Sequence, residues 1–514
     1  MRTPDTPRFP ARTLRSLGTL LLIAGLVAAC GGGGGGGGGG GTPVSPFVVA
    51  TLSPADGANG VATNVHVLVT FSLPVAPSSV TASAVAVGNT ENGGVAGTVG
   101  LVADGLGTTL EFSPSAPLAA SKTYSIVVSA ALRSTAGDAL GGDRTFIFRT
   151  GTGGGAVLPP ASALQPTSGR LQQGRRNHTA TLLASGSVLV AGGFIQGTTI
   201  TDRAETFSPG TQTFATITAR MQHARAGHTA TRLADGRVLL AGGYYEINPG
   251  TLNVTATAEV YDPADGSFTA VGSMGTPRAD HAALRLPDGR VLVTGGSELQ
   301  GAFLADHSSV EVFNPTTGQF TAWPVSMSHT RATHAMIDLL DGRWLLVAGS
   351  DTDLRPETFS TTTGQFTPFA AATPDRARFG AAAAAFPSGS VSVVGGEALG
   401  EVLYFDRGTT ALINSGSGTS KPRSYGTATA IGPGRVLVAG GIDFSNGSFV
   451  LATCDLVVEG GVAGSETYAT AVRFPTGMAN HTATVLGDGR ILFCGGLNPT
   501  GGLPEYDGAY LFTP

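Results

Sequence analysis

The chain has 514 residues, 41% of them hydrophobic, with 77 glycines and 30 prolines, which predicts two to four domains with sizeable cores, many turns and little helix. Thirty basic and 35 acidic residues leave a formal charge of −5 and no basic stripe, which argues against a nucleic-acid partner and leaves sugars, peptides and metals open. Three cysteines, Cys30, Cys454 and Cys494, are too few for a disulfide framework, so packing must hold the fold.

Arg2, Arg8, Arg12 and Arg15 precede the apolar run LGTLLLIAGLVAA at 17–29. The run is short for a membrane span and right for the core of a signal peptide. Cys30 follows at once, and Val27-Ala28-Ala29-Cys30 resembles the bacterial lipobox. That resemblance implies removal of residues 1–29 and a diacylglycerol on the Cys30 thiol, with further acyl groups giving stable anchoring in combination. The plainer reading is a secretory signal with an incidental cysteine. The glycine run 31–41 favours lipidation, because poly-glycine makes a flexible tether, and 30–43 is read as lipidated cysteine plus tether. A glycine rather than an aspartate after the cysteine implies export to the outer membrane, with the side it faces left open.

Residues 44–150 alternate short apolar strands with turns. Strands are expected at 64–71 (NVHVLVTF), 108–112, 123–128 and 145–149, separated by SPADG at 53–57 and AGD at 136–138. This spacing argues for a β-sandwich. The phrases LSPADGANGV, VTFSLPV, LEFSPSAPLAASKTYSIVV and FIFRT resemble the bacterial immunoglobulin-like domain of S-layer and other surface proteins. The resemblance implies a spacer or adhesion module without catalytic residues, and His66 is read as an ordinary strand histidine. A linker is expected over 151–162.

From 163 to 514 one phrase recurs. A glycine mark falls at Gly192-Gly193, Gly242-Gly243, Gly295-Gly296, Gly349-Ser350, Gly395-Gly396, Gly440-Gly441 and Gly495-Gly496, at intervals of 45 to 55 residues. Each unit reads as a strand such as HTATRL, a two-residue Asp-Gly hairpin turn, an apolar strand such as VLLAGG, an acidic-aromatic third strand, and a fourth strand marked by Phe214, Phe268, Phe320 or Phe366. Seven four-stranded units predict an all-β chain ending in a seven-bladed β-propeller. The repeat resembles the kelch-repeat, galactose-oxidase-like propeller family over roughly 164–514. The last unit lacks a fourth strand, and residues 163–166 stand in that phase, so the first strand of the segment is expected to close the ring and remove an open edge.

An arginine stands three residues before the first strand in six units: Arg175, Arg225, Arg278, Arg331, Arg378 and Arg423. The matching third-strand acids are Glu205, Glu259, Glu311, Glu357 and Asp455, while the fifth unit has Leu403 with Glu401 nearby. The seventh has Met478 and Tyr510, losing both partners together. The expected role is a buried ion-pair brace in each unit, and the competing role is a ring of charge that grips a ligand. His178, His228, His281, His334 and His481 open the first strand, with Ala381 and Gly426 in the other two units. Hydrogen bonding at the strand start is expected over metal binding, because one ion cannot reach positions on several blades. Cys454 and Cys494 occupy small-residue slots and are read as buried thiols, with a disulfide as the alternative.

Copper radical oxidases share this propeller, but their Tyr-His dipeptide does not occur here, so that likeness extends to fold alone. No G-x-S-x-G, H-E-x-x-H or P-loop is present, and Asp351 with Asp353 makes only a weak calcium signal. No enzyme activity, cofactor or metal is expected. The reading is a lipid-anchored envelope protein whose propeller binds protein or glycan, through the variable loops at 194–204, 244–257 and 297–309. The rivals are a carbohydrate- or alcohol-active enzyme and a purely structural surface protein.

Overall fold

The structure is a computed structural model that describes residues 47–514 apart from 55, 57, 62–64, 66, 90–92, 102–107, 117, 151–162, 301–302, 350–354, 370–377, 397–400, 409–410, 420, 433, 445–448, 460–466 and 498–504. The expected signal peptide, Cys30, the tether, His66, the linker, Asp351 and Asp353 lie outside the described residues. Every described regular element is a strand except one 3-10 turn at Pro77–Ser79. No described helix is long and apolar enough to cross a membrane.

Two sheets face each other in the first unit. One runs Val49–Ser53, Val67–Phe71, Thr109–Pro114, Gly97–Leu101, and the other Ala58–Val61, Arg144–Thr150, Thr123–Val128, Val85–Asn89, Gly93–Gly94. Period-two alternation sends Val67, Val69, Phe71, Leu110 and Phe112 inward from the first, to meet Val85, Val87, Ile126, Val128 and Phe148 from the second.

Seven further four-stranded antiparallel sheets follow in chain order. The first four are built from Thr179–Leu182, Val188–Ala191, Ala204–Ser208, Thr213–Thr216; Thr229–Arg232, Val238–Ala241, Ala258–Asp262, Ser267–Ala270; Ala282–Arg285, Val291–Thr294, Val310–Asn314, Gln319–Ala322; and Ala335–Asp338, Arg343–Val347, Glu357–Ser360, Phe366–Pro368. The fifth and sixth are Ala382–Ala385, Val391–Val394, Glu401–Asp406, Ala411–Gly418, and Thr427–Ala430, Arg435–Ala439, Thr453–Val458, Thr467–Arg473. The seventh takes Thr482–Val485, Ile491–Cys494 and Ala509–Phe512 from the end of the chain and Leu164–Pro166 from before the first sheet. Leu164 stands opposite Phe512 and Pro166 opposite Tyr510. Pro166 is tolerated because this strand is at an edge. The first strand of each sheet packs on those of the sheets before and after it, and that of the seventh packs on that of the first.

The second strands are apolar on both faces because each face meets a different neighbour. Val188 and Val190 pack with Leu492, Cys494 and Leu511 of the seventh sheet, while Leu189 and Ala191 pack with Val238 and Leu240 of the second. Each such buried valine or leucine contributes about 1.5–3 kcal/mol. Third and fourth strands are riveted by facing rings, Phe207–Phe214, Tyr261–Phe268, Phe313–Phe320 and Phe359–Phe366, each pair 4.9 Å between centroids.

Two local readings of the sequence need correction. The Asp-Gly turns are three-residue loops: Gly236 N–H donates to Leu233 O and Leu233 N–H to Arg237 O, so only the glycine takes positive φ (93°). The aspartate instead accepts from Arg237 N–H through Oδ1 at 3.1 Å. In the fourth sheet the mark is Ala348-Gly349, not Gly349-Ser350, since φ of 65° and 74° at these residues matches 65° and 101° at Gly192 and Gly193.

Candidate functional site

The arginines and acids meet inside their sheets. Arg175 reaches Glu205 at 2.6 Å, Arg225 reaches Glu259 at 2.7 Å, Arg278 reaches Glu311 at 2.8 Å, Arg331 reaches Glu357 at 3.2 Å and Arg423 reaches Asp455 at 2.6 Å. Each arginine also donates to the carbonyl of the first mark residue: Gly192, Gly242, Gly295, Ala348 and Gly440, with Arg378 doing the same to Gly395. The second carboxylate oxygen takes a backbone N–H from the incoming loop, Gln172 for Glu205 and Gln222 for Glu259. Burial pushes the guanidinium pKa of Arg175, Arg225 and Arg278 down, opposed by the partner carboxylate. With side-chain exposures of 0–7% these pairs offer a ligand no charge. In the fifth sheet Leu403 is buried in the acid's place, and the Glu401 side chain lies outside the described residues. In the seventh, Met478 and Tyr510 join Phe474 and Phe493, with Phe474 5.4 Å from Tyr510 between centroids, so an aromatic cluster fills the place of the ion pair.

The five strand-opening histidines join neighbouring sheets. Nε2 of His178, His228, His281 and His481 lies 2.8–3.1 Å from the hydroxyl of Thr482, Thr179, Thr229 and Thr427 respectively, each on the preceding sheet of the circuit. The third sheet has Ala282 in the threonine position, and the residue paired with it across the strands, Thr294, supplies the hydroxyl for His334 at 2.9 Å. The fourth and fifth sheets carry Ala335 and Ala382 there, and the sheets after them have Ala381 and Gly426 instead of histidine. Donor and acceptor are thus present or absent together.

The same coupling reaches the glycine mark. A Cβ on Gly192 would lie 2.3 Å from Arg225 O and 2.8 Å from His228 Cε1. Ala348 has a Cβ, and the fifth sheet facing it has Ala381 where histidine would stand. The hydrogen bond from Gly349 N to Arg378 O is 3.3 Å, against 2.8 Å from Gly193 N to Arg225 O. Gly192→Ala is therefore expected to cost about 2–4 kcal/mol in thermal or urea unfolding, from left-handed backbone plus overpacking. In a double-mutant cycle His228→Ala should return part of it, and additive losses would refute the coupling.

Just before the histidine position each sheet has one residue with left-handed backbone: Asn177, Gly227, Asp280, Thr333, Gly380, Tyr425 and Asn480, φ between 50° and 70°. Their backbones form a relay. Gly227 N donates to Asn177 O, Asp280 to Gly227, Thr333 to Asp280, Tyr425 to Gly380, Asn480 to Tyr425 and Asn177 to Asn480, at 2.7–3.1 Å. The relay runs around one end of the circuit of first strands, where Asn177, Asp280, Thr333, Tyr425 and Asn480 are half-buried. Gly227 is required by close approach, since a Cβ would lie 2.7 Å from Asp280 Oδ1 and 3.1 Å from the Tyr244 ring. Tyr244 Oη donates to Asp280 Oδ2 at 2.8 Å. Burial pushes the Asp280 carboxyl up to about 6, with the charge of Asp306 adding to it, and raises Tyr244 well above its usual value. This ring is not legible as a motif in the sequence. The signal available was Asn, Gly or Asp in five of the seven positions, the residue types most tolerant of left-handed backbone.

The expected binding loops are not loops. Phe194–Gln196 pairs with Thr199–Ile200, Tyr244–Asn248 with Thr251–Val254, and Ser297–Gln300 with Phe303–Asp306. Isolated bridges from Arg176 to Phe194, Ala226 to Tyr244 and Ala279 to Ser297 seat these hairpins beside the relay. Their apolar sides share a core of Phe194, Ile200, Tyr244 and Val254, and among the described residues Ile247 and Phe303 are the large apolar side chains that stand half exposed near the tips. Cys454 and Cys494 are both free and buried; burial raises both thiols, Cys494 to about 11, which makes them inert. Among the described residues no three His, Cys, Asp or Glu side chains are placed to hold a metal ion.

Residues 43–150 match the bacterial Ig-like domain family. No curated protein matches the chain by sequence. A solved fungal alcohol oxidase, described as having catalytic diversity among the AA5 family and bound to copper, is 17% identical, with 68% of this chain and 75% of that chain covered and a TM-score of 0.52. A structure of YjhT is 14% identical, with 58% of this chain and 98% of that chain covered and a TM-score of 0.46, which carries no conclusion. The oxidase likeness speaks to fold alone, so what is established is that the described residues are all-β, with a match to the bacterial Ig-like domain over 43–150 followed by four-stranded sheets similar in fold to that oxidase.

Proposed function

We propose that this is a cell-envelope protein, lipid-anchored at Cys30 to the outer membrane, whose seven repeat sheets form a kelch-type propeller closed by Leu164–Pro166 and bind a glycan at the mouth ringed by Asn177, Asp280, Thr333, Tyr425 and Asn480. The observation that carries the reading is the left-handed relay. It puts one residue per sheet at a common opening, and where that residue is not glycine its side chain is half-buried and polar or aromatic. Two carboxamides, hydroxyls, one carboxyl and a tyrosine ring are suited to a polyhydroxylated ligand, since amides both donate and accept and the ring offers a stacking face. Tyr244 from the neighbouring hairpin is buried beneath this ring and holds the Asp280 carboxyl through its hydroxyl.

Calorimetric titration of residues 42–514 with envelope oligosaccharides tests this. Asn177→Ala combined with Asn480→Ala should weaken binding at least about tenfold, the size of one or two lost hydrogen bonds. Ile247→Ser with Phe303→Ser should leave binding unchanged. The reverse pattern would move the site to the hairpin tips and favour a protein partner.

A second reading has its own support. A carboxyl held near neutrality and hydrogen-bonded to a tyrosine, as Asp280 is to Tyr244, is equipped for proton transfer to or from a sugar. Turnover of a bound glycan that Asp280→Asn abolishes without loss of affinity would establish an enzyme. Self-association with no soluble ligand would favour a purely structural protein.

A further inference from the structure

The two sheets of the Ig-like domain differ on their outward faces. The five-stranded sheet is open, with Ile147 51% exposed. In the four-stranded sheet the middle strands are covered on both sides: Val67, Val69 and Phe71 face the core, yet on the opposite face Leu68 is 9% and Thr109 0% exposed, while Thr98 and Gly100 of the edge strand stay open. Arg473, at the end of the outermost strand of the sixth repeat sheet, is what reaches Thr109. Its Nη1 donates to Thr70 Oγ1 at 3.1 Å and to Thr109 Oγ1 at 3.4 Å. Those threonines stand opposite each other in register, their hydroxyls 3.1 Å apart, so one guanidinium nitrogen spans two strands. Buried apolar residues of the Ig-like domain and of the sixth and seventh sheets, among them Phe112, Ile431, Phe474 and Phe512, belong to one continuous cluster.

Comparison within the chain singles Arg473 out. In the first four sheets the fourth strand ends at the residue opposite the buried acid: Thr216 opposite Glu205, Ala270 opposite Glu259, Ala322 opposite Glu311 and Pro368 opposite Glu357. In the sixth sheet Thr470 stands opposite Asp455, and the strand runs on past it to Arg473, opposite Thr453. Arg473 therefore lies on an extension that those four sheets lack, and its side chain is half-buried.

We infer that the Ig-like domain is docked in solution as a fixed bracket on the side of the sixth sheet, with Arg473 as its pin, and is not a stalk free to swing. The middle strands of its four-stranded face are taken up by this contact. The mouth at Asn177 and Asn480 then keeps a set bearing relative to residue 47, where the chain enters from the amino-terminal side. A fixed bearing matters for a tethered binder, because it limits the directions from which a ligand can approach.

A sequence-specific protease site placed in 151–162 of the full mature chain tests the inference. After cleavage the two fragments should co-elute on size exclusion in 150 mM salt; separation would overturn the docking. Arg473→Glu should make the cleaved fragments separate and split the single thermal transition of the intact chain into two, and unchanged co-elution would overturn the role of Arg473. Thr109→Val removes one acceptor from the Ig-like side without touching the repeats. It should weaken fragment association severalfold, and no change would count against the same contact.

Discussion

Replacing Arg225 by methionine is expected to destabilise the chain by about 3–5 kcal/mol, because Glu259 is then left buried without its counter-charge. Arg225 makes two bonds to Glu259 Oε1, at 2.7 and 3.2 Å, and holds the carbonyls of Gly242 and Thr257 at 2.8 and 3.1 Å. The seventh sheet shows an apolar solution to the same packing problem, with Met478 and Tyr510 in these two positions. Met478 still accepts Gly441 N–H through its backbone carbonyl at 2.7 Å, the bond that Arg225 O makes with Gly193 N. Arg225→Met with Glu259→Tyr should therefore recover about half or more of the single-mutant loss, as replacement of whole buried ion pairs by apolar groups generally does. Urea unfolding of wild type, both single variants and the double supplies the cycle. Equal loss in the single and double variants would mean that the brace acts through its carbonyl contacts and not through the ion pair.

That comparison also marks what the sequence could and could not convey. The Arg–acid phase is visible because both partners recur at fixed offsets and fail together in the seventh unit, and the structure brings five such pairs within 3.2 Å. Second strands such as Val188–Ala191 stand out because burial on two faces demands an unbroken apolar run. The mouth was invisible for the opposite reason. What its seven residues share is a backbone angle, and Thr333 and Tyr425 adopt it without belonging to the residue types that announce it. The hairpins beside it read as loops in the sequence because their apolar residues pack against one another, Phe194 against Tyr244 at 6.4 Å, and not into a repeat core with a fixed period. Arg473 gave no signal at all, since a single arginine at a strand end acquires meaning only once another domain lies against it.

The two kinds of site also place different demands on the fold. The brace and the histidine belt are buried and repeated, so they tolerate loss in one or two sheets when the partner is lost as well. The mouth is assembled from one residue per sheet, so its residues are free to differ: asparagine at 177 and 480, aspartate at 280, tyrosine at 425. Repetition thus builds the scaffold, and departure from repetition at a fixed backbone position gives the opening its chemistry.

The second large effect is loss of stability in mild acid. His178, His281, His334 and His481 are pushed down to about 3 by burial, with Arg175, Arg278 and Arg331 adding to the shift at the first three, and His228 also lies well below its ordinary value. The Nδ1 atoms of His228, His334 and His481 are buried without a hydrogen-bond partner, so a proton there would be both desolvated and unpaired; at His178 and His281 the backbone of Arg175 and Arg278 favours the proton but is outweighed by burial. An unfolded histidine titrates near about 6.5, so between that pH and about 3 the unfolded chain takes up protons that the folded chain refuses. The histidines' contribution is therefore fully present above about pH 6.5 and is lost as pH falls toward 3, by up to about 1.4 kcal/mol per pH unit for each histidine. Asp280 works the other way: raised to about 6, it contributes stability that is present below about pH 4 and is lost as pH rises through 6. One carboxyl cannot offset five imidazoles, so the urea midpoint should fall steeply from pH 6.5 to 4.5. His281→Gln should cost about 1 kcal/mol at pH 7.5 through its bond to Thr229, yet flatten the pH dependence by about a fifth. His223→Gln, at an exposed position, should change neither. An unaltered slope in His281→Gln would show that the acid sensitivity comes from elsewhere in the fold.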